Sequence, residues 1–143
     1  MPWSTFRNAR VLAMVKMVSI STKGTTRRPV IVLGSIAAKV ARNAEGRACN
    51  RYEANLYRSV TPHRRAMLSP VLGCSPGGLV LIMRAAMPLS EMMNIDEYVA
   101  AAEEWDAMPG EDSCPFEPKA SDWGWYKGRR VALDYSTPAW GND

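Results

Sequence analysis

The chain carries one histidine, His63, and three cysteines, Cys49, Cys74 and Cys114. None of them is paired with a second Cys or His at metal-ligand spacing, which excludes a zinc finger. An odd, scattered set of cysteines is no disulfide framework either, so a reducing cytoplasm is the expected setting. His63, between Pro62 and Arg64-Arg65, reads as a surface loop residue. No apolar run reaches the roughly 18–20 residues that cross a bilayer, and no membrane association is expected. The stretch Val11–Ile20 is apolar but interrupted by Lys16, and no small-residue cleavage site follows, so a signal peptide is not expected. Internal repeats, low-complexity tracts, an RNA-binding aromatic motif and a long basic run are also lacking.

What is present fits one globular domain. At 143 residues there is room for a single sizeable core, and 47% of residues are hydrophobic. The net charge is +4 and unevenly spread. Basic residues gather in Lys23–Arg28, Arg42–Arg51 and Arg58–Arg65, whereas acidic residues concentrate after Glu91. Such asymmetry either serves an anionic partner or is solvated surface charge.

Ser4 can cap a helix running to about Val18, and Ser19–Pro29 reads as a turn region. Val30–Leu33 and Ile36–Ala41 read as strands around a tight Gly34-Ser35 turn. After a loop over Asn43–Gly46, the spacing of Cys49, Tyr52, Leu56, Tyr57 and Val60 predicts a helix over Arg47–Val60. Leu68–Cys74 and Leu79–Met83 read as strands joined by Ser75-Pro76-Gly77-Gly78, with a connector over Arg84–Leu89. Asn94 caps a helix to about Met108, with Glu97 placed as in a capping box and Pro109-Gly110 as the stop. Its apolar side would hold Ile95, Tyr98, Val99, Ala102 and Trp105. A polar loop over Glu111–Asp122 precedes strands at Trp123–Tyr126 and Arg130–Asp134, turned by Lys127-Gly128. The fold class expected is α+β, a small antiparallel sheet with helices.

One residue conflicts with its surroundings. Glu53 falls inside the apolar face of its helix, where a carboxylate is costly unless a cation or water meets it. Lys39 stands alone among apolar and small residues on the upstream strand. Either the two meet, or each snorkels to solvent.

The order is a strand with Lys39, a helix with Glu53, a strand hairpin, a helix, a polar loop, and a hairpin ending in Asp134. This order resembles the protein-kinase-like fold. Glu117-Pro118-Lys119-Ala120-Ser121-Asp122 is similar to the kinase catalytic loop D-L-K-P-x-N. Val131-Ala132-Leu133-Asp134-Tyr135-Ser136 resembles the strand that ends in D-F-G, twelve residues beyond Asp122. Ile36-Ala37-Ala38-Lys39 resembles the V-A-I-K strand. Asn50-Arg51-Tyr52-Glu53 and Trp123-Gly124 also resemble uncharacterised kinase-like proteins of phages and mobile elements.

The resemblance implies a truncated kinase-like domain. Residues 1–28 would be an N-terminal helix and turn, 29–89 N-lobe-like strands and helix, and 90–138 a remnant of the catalytic lobe. It implies Lys39 as the phosphate lysine and Glu53 as its orienting partner. Glu117 stands at the base position, Asp122 and Asp134 at the metal positions, and Met83 at the edge of an adenine pocket. ATP and Mg²⁺ would be the cofactors of a functional site.

The departures argue against activity. Glu117 replaces Asp at the base position, and a carboxylate misplaced by ~1 Å can cost about 10²-fold. Asp122 replaces Asn, Ser136 replaces Gly, and Gly34-Ser35 is too short for a phosphate-covering G-x-G-x-x-G loop. Nine residues follow Asp134, so an activation loop and substrate lobe are expected to be lacking. Substrate binding would then fall to a partner or to a second copy in a homodimer.

The function these readings imply is that of a non-catalytic, pseudokinase-like binding protein. Its mobile-element likeness points to a protein partner in host defence such as CRISPR, met in the host cytoplasm. Arg47, Arg51, Arg64, Arg65 and Trp125 are its candidate contact residues, with Trp123 and Trp140 as further members of a Trp-rich end. The alternatives are an ATP-dependent phosphotransferase acting on a small molecule or protein, and nucleic-acid binding through the basic segments.

Overall fold

Residues 18–21 and 28–139 are described in a computed structural model of the chain. Among them are three α-helices and two small antiparallel sheets, an α+β arrangement. β1 (Val18–Ser21), β2 (Val30–Leu33), β3 (Ile36–Val40), β4 (Val71–Cys74) and β5 (Val80–Arg84) form one sheet in the order β1-β2-β3-β5-β4. β6 (Met87–Pro88), β7 (Trp123–Tyr126) and β8 (Arg129–Ala132) form the other, in that order.

β2 and β3 turn at Gly34-Ser35 and pair from Val30 with Lys39 to Leu33 with Ile36. Val30 and Val32 are half-buried while Ile31 and Leu33 are exposed, the period-two signature of a strand with one covered face. β1 corrects the turn expected from Ser19 and the helix expected to reach Val18. Its residues pair with β2, Val18 against Leu33 and Ser21 against Val30. Val-Ser-Ile-Ser has the strand period, and pairing there satisfies the free edge of β2. The rest of the expected N-terminal helix, residues 22–27 of the expected turn, and Trp140 lie outside the described residues.

α1 (Ala44–Ser59) begins three residues before the expected start. Asn43 is its cap and not part of a loop: its side chain accepts from the Gly46 N–H at 2.8 Å. Gly46, Cys49, Asn50, Glu53 and Ala54 are the buried face, at helical spacing. β4 is shorter than expected because Leu68 and Ser69 lie against β8, where the Ser69 N–H donates to the Ala132 carbonyl at 2.9 Å. A short helix, α2 (Pro62–Arg65), is capped by Thr61 and carries the exposed His63.

α3 (Ile95–Trp105) is capped by Asn94, which accepts from the Glu97 N–H at 2.8 Å. It ends earlier than expected, because Asp106 turns left-handed at φ 54° ahead of Pro109-Gly110. Its apolar side is also narrower than expected. Tyr98, Ala101 and Trp105 pack on the core, while Ile95 is 77% exposed and Val99 45%. Glu97 is committed elsewhere, to an ion pair with Arg130 at 2.6 Å.

β7 and β8 turn at Lys127-Gly128, both with positive φ as a tight hairpin requires. The core joins both sheets. Leu68, Leu81, Met83, Phe116, Trp123 and Tyr135 are its largest fully buried members. Phe116 meets Trp105 and Trp123 edge-on, with centroids 5.7 and 4.7 Å apart. Trp123 is therefore a core residue, which corrects its place in an exposed Trp-rich end. No helix among the described residues is long and apolar enough to cross a membrane.

Candidate functional site

β3 and α1 bring Lys39 and Glu53 together. Lys39 is buried on the inner face of β3 and Glu53 is wholly buried on α1. The Lys39 ammonium donates to Glu53 Oε1 at 3.0 Å, to Oε2 at 2.9 Å and to the Leu133 carbonyl at 2.6 Å. The ammonium is thereby held between a carboxylate and a main-chain carbonyl.

Arg28 completes the cluster. It lies two residues before Val30, which pairs with Lys39, so strand parity puts it on the same inner face. Its Nη1 donates to Glu53 Oε1, and to Asn50 Oδ1 at 3.1 Å. Its Nη2 donates to Asp134 Oδ1 at 3.2 Å and to Ser136 Oγ at 2.9 Å. Asn50, one turn before Glu53, donates to the carbonyls of Lys39 and Gly78 at 3.1 and 2.8 Å. The Tyr135 N–H closes the ring on Glu53 Oε2 at 3.3 Å.

The charges shift accordingly. Burial alone would lower the Arg28 pKa, but Glu53 and Asp134 outweigh it and raise it. Burial would likewise raise Asp134, yet Lys39, Arg28 and the Ser136 hydrogen bonds hold it below the ordinary aspartate value. Asp122 is 8% exposed, and among the described residues no ion pair reaches it. Burial first, and the Asp134 charge second, push it up to about 7. Asp122 is tied to the Asp134 strand through its carbonyl, which accepts from the Leu133 N–H at 2.7 Å.

Of the other candidates, Glu117 is half-exposed and pairs with Lys119 at 3.0 Å. Met83 lies in β5 with its side chain in the core. Arg64 is occupied internally, by the carbonyls of Trp105 and Asp106 and by Glu111. Arg65 likewise donates to the carbonyls of Tyr57, Arg58 and Val60 at the end of α1. Trp125 is 47% exposed under the Arg130 guanidinium, 5.3 Å from its ring centre. Arg47 and Arg51 are exposed and line a pocket beside the β4–β5 turn.

No protein-family model, curated protein or solved structure matches the chain.

The residues present do not fit an ordinary Mg²⁺-nucleotide site. Asp134 Oδ1 already accepts from Arg28 and Ser136. Asp122 holds its proton up to about 7. Among the described residues, no three His, Cys, Asp or Glu side chains gather as a metal cluster. The Lys39 ammonium is committed to Glu53 and to the Leu133 carbonyl.

Sequence reasoning missed Arg28, Asn50 and Ser136. Arg28 sits at the end of a basic run that reads as surface charge. Its signal was parity: Arg28, Val30 and Val32 alternate on one strand face, opposite the strand of Lys39.

Proposed function

We propose that this chain is a degenerate, kinase-like domain that works as a non-catalytic binding protein. The observation that carries the reading is the Arg28 guanidinium lodged between Glu53 and Asp134. In a phosphoryl-transfer site those positions serve the phosphate lysine and the metal. Here a built-in cation balances both carboxylates, and Lys39 is held by Glu53 and Leu133.

Support for kinase-like ancestry comes from the order of elements. A lysine on the third strand is paired with a glutamate on the next helix, and an aspartate follows the last hairpin. The mobile-element resemblance suggests a protein partner in host defence, CRISPR components being one class. Co-purification of the tagged chain with a reconstituted CRISPR effector tests that assignment, and failure to associate removes it. The non-catalytic reading is tested by calorimetric titration with ATP and Mg²⁺, for which no saturable heat is expected.

A further inference from the structure

We propose that the groove between the first half of α1 and the β4–β5 turn docks an acidic peptide segment of a protein partner, with Arg47 and Arg51 binding its carboxylates. The proposal rests on the reading of the chain as a binding module and names the chemistry of the partner.

Arg47 and Arg51 stand one helical turn apart on α1, so their side chains share a face. With Ala44, Pro76, Gly77 and Leu79 they line a pocket of about 400 Å³. Arg51 Nη1 donates to the Gly77 carbonyl at 2.8 Å. That bond anchors one edge of the guanidinium and leaves the rest of its five-donor fork for a ligand. Among the described residues, neither Arg47 nor Arg51 is ion-paired to a carboxylate, whereas Arg64, Lys119 and Arg130 each are. Arg58, in the last turn of α1, extends the basic face. The acidic residues of α1 are Glu45 in its first turn and Glu53, which is committed to the buried cluster.

The pocket wall is held against the helix. Gly78 approaches so closely that a Cβ there would lie 2.4 Å from the Arg47 carbonyl oxygen, and Asn50 donates to the Gly78 carbonyl. A preformed site of this kind spares a ligand the cost of ordering it. The apolar part of the lining is aliphatic: Pro76, and Leu79 at half exposure. Among the described residues the lining holds no aromatic ring for a base to stack on, and its two arginines and aliphatic floor favour an acidic peptide over a single-stranded nucleic acid. An aliphatic side chain flanked by Asp or Glu matches both halves of the lining.

The test is fluorescence anisotropy with a labelled peptide carrying one leucine flanked by aspartate and glutamate, run beside a labelled oligothymidylate. Among the described residues the Arg47 side chain makes no hydrogen bond or ion pair, so Arg47→Glu is the first variant and Arg47→Glu/Arg51→Glu the second. Circular dichroism checks that both fold. The expected result is peptide binding that weakens with salt and falls about tenfold or more in Arg47→Glu. No peptide binding, affinity unchanged by Arg47→Glu, or preference for the oligonucleotide overturns the proposal. Nucleotide titration of the same samples separates the two readings. Mg²⁺-dependent ATP binding alongside Arg47-dependent peptide binding contradicts the non-catalytic reading while supporting the docking site.

Discussion

Lys39 and Glu53 meet face to face between β3 and α1, the ammonium within 3.0 Å of both carboxylate oxygens. Glu53 serves two cations at once, because Arg28 reaches the same carboxylate. The burden is therefore unequal, and the two partners differ in what their loss leaves behind. Glu53→Gln strands Lys39 and leaves Arg28 with Asp134 alone, and is expected to cost about 3–5 kcal/mol in urea unfolding. Lys39→Met leaves Glu53 paired with Arg28 and is expected to cost clearly less. A loss from Lys39→Met equal to that from Glu53→Gln contradicts the shared-carboxylate account.

Asp122 and Asp134 give opposite pH dependences. The Asp122 pKa is raised in the folded state to about 7. An unfolded chain gives up that proton near pH ~4, so between ~4 and ~7 rising pH progressively disfavours the folded state. Asp122→Asn removes the penalty. It is expected to stabilise the protein near pH ~8, by up to about 1.4 kcal/mol per unit of pKa difference, and to do little near pH ~4. Asp134 is depressed, so its contribution is present above its unfolded value of ~3.9 and is lost as pH falls through its lower folded value. Urea unfolding of both proteins across this range reads the two effects. A stability difference between Asp122→Asn and the parent that does not grow between ~4 and ~7 contradicts the Asp122 assignment.

How much was legible beforehand depended on where each signal lay. The Lys39–Glu53 contact was readable because a lone charge on an apolar face demands a partner, and only one cation stood on a neighbouring predicted element. Hairpin turns with glycine were readable for the same local reason. Asn43 was misplaced in a loop because Gly46 suggested a break, whereas its N–H satisfies the cap. β1 was missed because an edge strand gains its hydrogen bonds from a distant neighbour. The narrow buried side of α3 was not legible either. Ile95 and Val99 fit the helical period, but the core lies against Tyr98, Ala101 and Trp105.

Gly78 joins the first half of α1 to the β4–β5 turn. Its φ is +76° and an added Cβ would collide with the Arg47 main chain. Gly78→Ala is expected to destabilise by at least about 1–3 kcal/mol. Gly77→Ala, where a Cβ meets nothing, carries only the positive-φ strain and is expected to cost less. Paired urea titrations measure the difference, and equal losses contradict the close approach.

Arg64 is a structural residue despite its place in a basic segment. It donates to the carbonyls of Trp105 and Asp106 at the end of α3, pairs with Glu111 at 2.8 Å and lies over the Trp105 ring. Arg64→Ala is expected to lower stability by about 1–3 kcal/mol. Unfolding of Arg64→Ala and of the exposed Arg58→Ala compares the roles. A variant of Arg64 as stable as the parent contradicts this one.

The central claim is that Arg28, Lys39, Glu53 and Asp134 form a closed ion network and not a phosphate and metal site. Isothermal calorimetry of the chain with ATP in the presence of Mg²⁺ tests it most directly. The account predicts no saturable binding at millimolar nucleotide. Saturable, Mg²⁺-dependent binding that disappears in Asp134→Ala contradicts it.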